Sequence, residues 1–96
     1  MKPCRVLLSE SVKTTLRRLA PIPKRTLRKA LRELETDPFF GEPLEGKLAD
    51  LHKLSVKNYR IIYKIVKEQK EIQVVAVGPR KTIYLDLLEI LRLSEE

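Results

Sequence analysis

The chain has no tryptophan, one cysteine, one histidine and three glycines among its 96 residues. The lone cysteine, Cys4, excludes an internal disulfide and any cysteine-based zinc site within one chain, and it fits a reducing compartment. One histidine and one cysteine do not make a metal centre, so neither a metal nor a cofactor is expected. Gly41, Gly46 and Gly78 are too scattered to form a phosphate-cradling loop. Only five aromatic side chains are available, which leaves little surface for stacking bases. No apolar run is long enough for a signal peptide or a bilayer span, so a cytoplasmic protein without a membrane partner is expected. No paired carboxylates fall on one strand face, and nothing in the spacing assembles a Ser–His–acid set around His52.

What the chain has in quantity is positive charge, distributed in blocks. The net charge is +7. Residues 1–32 hold ten Lys/Arg against Glu10 alone, whereas residues 33–50 hold six acids against Lys47. Residues 51–84 return to eight basic groups against Glu68 and Glu71, and the last twelve residues hold four acids against Arg92. Such blocks suit an anionic partner, nucleic acid or an acidic protein. The length fits one domain, 1–96, with one core.

The pattern predicts an α+β fold in the order β-α-α-β-β-β-α, with a twisted antiparallel sheet of about four strands. Cys4 to Leu8 reads as a strand. Ser9 then suits an N-cap, and Val12, Leu16 and Leu19 mark one buried helical face. Ala20-Pro21-Ile22-Pro23 breaks that helix, and Lys24 to Glu35 forms a second with Leu27, Ala30, Leu31 and Leu34 inward. The two should pack on the sheet as an antiparallel hairpin. Pro38 to Gly46 reads as a loop that Phe39, Phe40 and Leu44 tuck onto the core. Leu51–Val56 and Tyr59–Val66 read as strands joined by a tight turn at Lys57-Asn58, and Glu71–Val77 as another, ended by Gly78-Pro79.

Alternation on the central hairpin separates two faces. Leu54, Val56, Tyr59, Ile61, Tyr63 and Ile65 fall on one, with His52 on the same parity. Lys53, Ser55, Lys57, Arg60 and Lys64 fall on the other. Arg80, Lys81 and Tyr84 follow the last strand. A cationic sheet face suits cleavage of RNA, because the ribose 2′-hydroxyl is the substrate's own nucleophile. The protein must then align it, assist proton transfer and meet the growing phosphorane charge, for which arginine's donor fork is well matched. No metal is needed for this chemistry. The helical cations Lys13, Arg17, Arg18, Arg25, Arg28, Lys29 and Arg32 form a second expected contact for RNA. From Ile83 to Leu93 the chain reads as a helix with more apolar surface than one stripe needs. Its apolar positions Leu87, Leu88, Ile90, Leu91 and Leu93 are expected to offer a docking face, with Ile83, Leu87, Leu88 and Leu91 able to bury against the sheet.

The words Pro38-x-x-Gly41-x-x-Leu44-x-Gly46-x-Leu48, Leu51-x-x-Leu54-x-Val56-x-x-Tyr59-Arg60-Ile61-Ile62-Tyr63, Val77-Gly78-Pro79-Arg80 and Ile83-Tyr84 resemble the RelE/ParE toxin superfamily of prokaryotic toxin–antitoxin systems. The resemblance runs from Val6 to Tyr84. It implies a twisted sheet with two helices on one side and, in the RelE branch, cleavage of messenger RNA in the ribosomal A site. By the same resemblance Arg80, Lys53, Arg60 and Tyr84 form the catalytic set; Lys57, Lys64 and Lys81, from the charge pattern of the sheet face and its end, are expected to contact RNA. An acidic antitoxin is the implied partner beside ribosome and mRNA; the surplus apolar surface of the last helix offers self-association, as a homodimer, as the alternative when the antitoxin is absent. The chain departs at Ser55, where a second cation is common, and at Lys57-Asn58, where many relatives carry Gly-Asp. The ParE branch, which poisons DNA gyrase, shares the fold but generally lacks the full basic-plus-Tyr set; a degenerate, non-toxic member acting as a basic binding domain is the third reading.

Overall fold

A computed structural model describes residues 4–48 and 50–94, with the side chains of Lys47, Asp86, Ile90, Leu91, Leu93 and Ser94 left out. The chain runs β1 (Arg5–Leu8), α1 (Glu10–Arg18), α2 (Pro21–Thr36), β2 (Glu42–Pro43), β3 (Leu51–Val56), β4 (Tyr59–Val66), β5 (Glu71–Pro79) and α3 (Ile83–Ser94). The sheet has five strands in the order β1-β5-β4-β3-β2. Two features refine the expectation of about four antiparallel strands. β1 pairs with β5 in parallel, and the two-residue β2 pairs Glu42 with Lys53 and Pro43 with His52. The helical hairpin thus carries the chain from one edge of the sheet to the other.

Local chemistry explains both hairpin helices. The Ser9 side chain accepts a hydrogen bond from the Val12 amide, Glu10 lies in the first turn of α1, and Arg17 and Arg18 lie in the last. Each group complements the helix dipole. The second helix starts at Pro21, three residues before Lys24, with no side-chain cap from Ala20. Pro21 and Pro23 lack amide protons, so this first turn exposes fewer unpaired donors than usual.

Two apolar clusters sandwich the sheet. On the hairpin side Val12, Leu16, Leu27, Leu31 and Leu34 meet Leu54, Ile61, Tyr63, Ile72 and Val74. On the opposite side Ile83 and Leu87 of α3 meet Leu51, Ile62 and Ala76. Alternation puts Ile61 and Tyr63 of β4 in one layer and Ile62 in the other, and a shift of register between Ile62 and Tyr63 leaves Val75 of β5 as the extra residue. At the β1–β5 edge the buried carboxylate of Glu71 pairs with Arg5, which satisfies the one buried acid among the described residues.

Phe39 and Phe40 do not tuck inward, being 59% and 55% exposed. Their loop is anchored from the sheet instead. The Tyr63 hydroxyl donates to the Pro38 carbonyl at 2.8 Å and accepts from the Gly41 amide at 3.0 Å. Leu44 is half-buried and joins the α3-side cluster, as expected of it.

Candidate functional site

The β3–β4 register confirms the parity of the central hairpin. Ser55 opposes Arg60, Lys53 opposes Ile62, and Leu54 opposes Ile61. The cationic face is narrower than its alternation suggests, however, because Leu51 and Ile62 share it and α3 covers them. What stays open is its end nearest the β3–β4 turn. There Lys57 and Asn58 make the turn, Arg60 lies between Ser55 on β3 and Gly78 on β5, and Arg80 follows Pro79.

The backbone holds this end together. The Arg80 amide donates to the Asn58 carbonyl at 2.7 Å, joining the segment after β5 to the turn between β3 and β4. Lys57 adopts φ = 55°, a left-handed conformation that costs an L-residue roughly 1–2 kcal/mol. The guanidinium of Arg60 folds back onto this turn: its Nη1 donates to the Lys57 carbonyl at 3.0 Å and to that of Tyr59 at 2.8 Å. Arg60 is therefore partly engaged by its own backbone, unlike Arg80, whose side chain is exposed. The next segment turns through a Thr82 amide to Pro79 carbonyl bond of 3.1 Å and enters α3, with Tyr84 partly exposed in its first turn.

The expected residues fall into three places. Arg60, Arg80, Lys57, Lys81 and Tyr84 gather around the turn end of the sheet. Lys53 lies one cross-strand pair further in, about 7–8 Å diagonally from Arg60. Lys64, paired with Leu51 and Gln73, lies four residues along β4 from Arg60, or about 13 Å, so it belongs to the other end. Arg17, Arg18, Arg25, Arg28, Lys29 and Arg32 are all exposed on the hairpin, which covers the opposite face of the sheet. Arg17, Arg25 and Arg32 line clefts shared with Arg28, which faces both α1 and β1, whereas Lys29 lines a cleft with Ser55 and Val56 of β3.

The apolar residues of α3 also divide. Leu87 is completely buried in the sheet-side cluster, while Leu88, expected to bury, is 57% exposed. Leu85, absent from the sequence-based set, is 70% exposed and continues the Leu88 side of the helix. The side chains of Ile90, Leu91 and Leu93 lie outside the described residues.

His52 is structural, as its parity implies. It stacks on Tyr63 and receives the edge of Phe39, and its Nδ1 is buried without a hydrogen-bond partner. Burial lowers its pKa below the ordinary value of 6.5 and pushes the Tyr63 hydroxyl above 10.0. Gly41 is a residue whose physical role the sequence alone did not disclose. A Cβ there would sit 2.6 Å from the Tyr63 hydroxyl oxygen and closer still to the Lys53 carbonyl oxygen. No group of three or more metal-ligating side chains occurs among the described residues.

The fold, a sheet packed against an N-terminal helical hairpin, is shared with solved RelE-type toxins. The chain superposes on the RelBE2 toxin–antitoxin complex of Mycobacterium tuberculosis with a TM-score of 0.75 and 24% identity, over 81% of this chain and 99% of that one. Against the isolated RelE toxin of E. coli the TM-score is 0.73 at 22% identity, covering 94% and 98%. Against the archaeal RelE–RelB complex of Pyrococcus horikoshii OT3 it is 0.70 at 27% identity, covering 81% and 96%. No curated protein matches the sequence. A family model described as the ParE-like toxin of type II bacterial toxin–antitoxin systems matches residues 6–88, and the chain belongs to that family.

Proposed function

We propose that this toxin inhibits translation by ribosome-dependent cleavage of messenger RNA. The observation that carries the reading is the exposed Arg80, seated by its amide on the β3–β4 turn beside Arg60 and four residues before Tyr84. In this reading the ribose 2′-oxygen attacks the adjacent phosphorus while the bond to the 5′-oxygen breaks. The hydroxyl proton leaves as the new bond forms, and the departing oxygen gains one. Arg80 meets the charge that builds on the non-bridging oxygens, and Lys53 holds the backbone further along the strip. Tyr84 borders the reacting phosphate. The hairpin cations meet ribosomal RNA, a contact that weakens with salt because each phosphate contact releases counterions.

The partner in the cell is an acidic antitoxin, and the site of action is the cytoplasm. Relatives of this fold were solved with RelB bound, and the net charge of +7 suits an acidic ligand. Free toxin self-associates through the exposed Leu85–Leu88 side of α3. One observation favours a second reading, a non-catalytic inhibitor of DNA gyrase: Ser55 lies directly across from Arg60, where the strip lacks a further cation.

Induced expression with primer-extension mapping of cellular mRNA separates the two. Cuts phased with codons in translated messages are the expected result. Growth arrest with altered plasmid supercoiling and no cuts would replace this reading with the second.

A further inference from the structure

Three consecutive carbonyls of the β3–β4 turn are each occupied by one of two arginines. Arg60 Nη1 donates to the carbonyls of Lys57 and Tyr59, at 3.0 and 2.8 Å. The carbonyl between them, of Asn58, accepts the Arg80 amide at 2.7 Å. This turn is not self-stabilising, because Lys57 holds φ = 55° without being a glycine. A flexible turn would let the Asn58 carbonyl rotate, and Arg80, beyond the end of the β5 ladder, has that bond as its tie to the rest of the sheet. We propose that Arg60 is a positioning residue: its guanidinium clamps the turn and, through the Asn58 carbonyl, fixes where Arg80 stands, instead of contacting the phosphate itself. One nitrogen, Nη1, of the rigid planar guanidinium reaches both carbonyls that flank that of Asn58. The lysine ammonium carries the same charge on a flexible stem and lacks that geometry.

The activity arm of the test rests on the ribonuclease reading, and the amide arm does not. Hydrogen exchange by NMR is followed at the Arg80 amide in wild type, R60A, R60K and K57G/R60A. Losing the clamp should reduce Arg80 protection about fivefold or more in R60A and R60K, with Ile62 and Val77 unchanged. Glycine at 57 relieves the left-handed strain, so K57G/R60A should recover most of that protection. Wild-type protection in R60A overturns the proposal, and should R60A not fold, R60K carries the same comparison. In ribosome-programmed cleavage, R60A/R80A should be no slower than R80A, because Arg60 acts through Arg80. Multiplicative losses in the double variant, or R60K cleaving at the wild-type rate with Arg80 protection still lost, would make Arg60 an independent charge and overturn the proposal. If wild type does not cleave at all, the ribonuclease reading fails and the amide arm still decides the clamp.

Discussion

His52 lies against Tyr63 with ring centroids 5.4 Å apart and planes inclined by 22°, directly across the β3–β4 ladder. The pair anchors the loop that leads into β2. Tyr63 closes it with two hydrogen bonds, and the Phe39 ring meets the imidazole in a T-shaped contact with centroids 6.2 Å apart. Lys67 stands 5.7 Å over the Phe39 ring.

Stability should therefore fall in mild acid. Burial depresses the folded pKa of His52 below 6.5, so between the two pKa values the unfolded chain binds more protons than the folded one. The contribution is fully present above 6.5 and is lost as the pH falls toward the folded value, because protonation gives the partnerless Nδ1 a buried donor. Thermal melts between about pH 7.5 and 5 should show the midpoint dropping, and His52→Phe, which keeps the stack, should flatten the curve over that range. An identical slope in the variant would contradict this.

Tyr63→Phe removes the hydroxyl and leaves the Pro38 carbonyl and the Gly41 amide without their shared partner. A loss of about 1–3 kcal/mol is expected from denaturant melts. Gly41→Ala should cost at least as much, since the added methyl meets the Lys53 carbonyl and the same hydroxyl. Phe40→Ser, on the same loop but exposed, should change stability by less than about 0.5 kcal/mol.

The two sides of α3 should separate in the same way. Leu87→Ala opens a cavity in the cluster with Leu51, Ile62 and Ile83, and should cost about 2–5 kcal/mol. Leu85→Ser and Leu88→Ser leave that cluster intact and should melt within about 0.5 kcal/mol of wild type. They should also abolish any concentration-dependent association seen by sedimentation velocity.

Much of this architecture was legible because it repeats a simple period. Alternation set the register of β3 against β4, the i, i+4 spacing of Val12 and Leu16 set the inner face of α1, and Lys57-Asn58 marked the turn. The missed features depend on contacts between distant residues. The strand at Glu42–Pro43 forms because Gly41 lets the chain approach Lys53 closely, which no local pattern encodes. Phe39 and Phe40 invite an inward reading, yet Tyr63 supplies the anchor. Leu51 and Ile62 on the cationic face already marked where α3 would land, but the run of lysines and arginines masked that signal. The engagement of Arg60 with the turn required the left-handed Lys57, which sequence does not announce for a lysine.

Single-turnover cleavage of mRNA bound in purified ribosomes, by wild type and by Arg80→Ala, tests the ribonuclease reading most directly. A dedicated partner for the phosphorane charge contributes on the order of 3 kcal/mol, so the variant should cleave roughly a hundredfold more slowly. Its melting temperature should stay close to that of wild type, because the Arg80 side chain is exposed and the tie to Asn58 uses the backbone amide. A folded Arg80→Ala protein that cleaves at the wild-type rate would contradict the account.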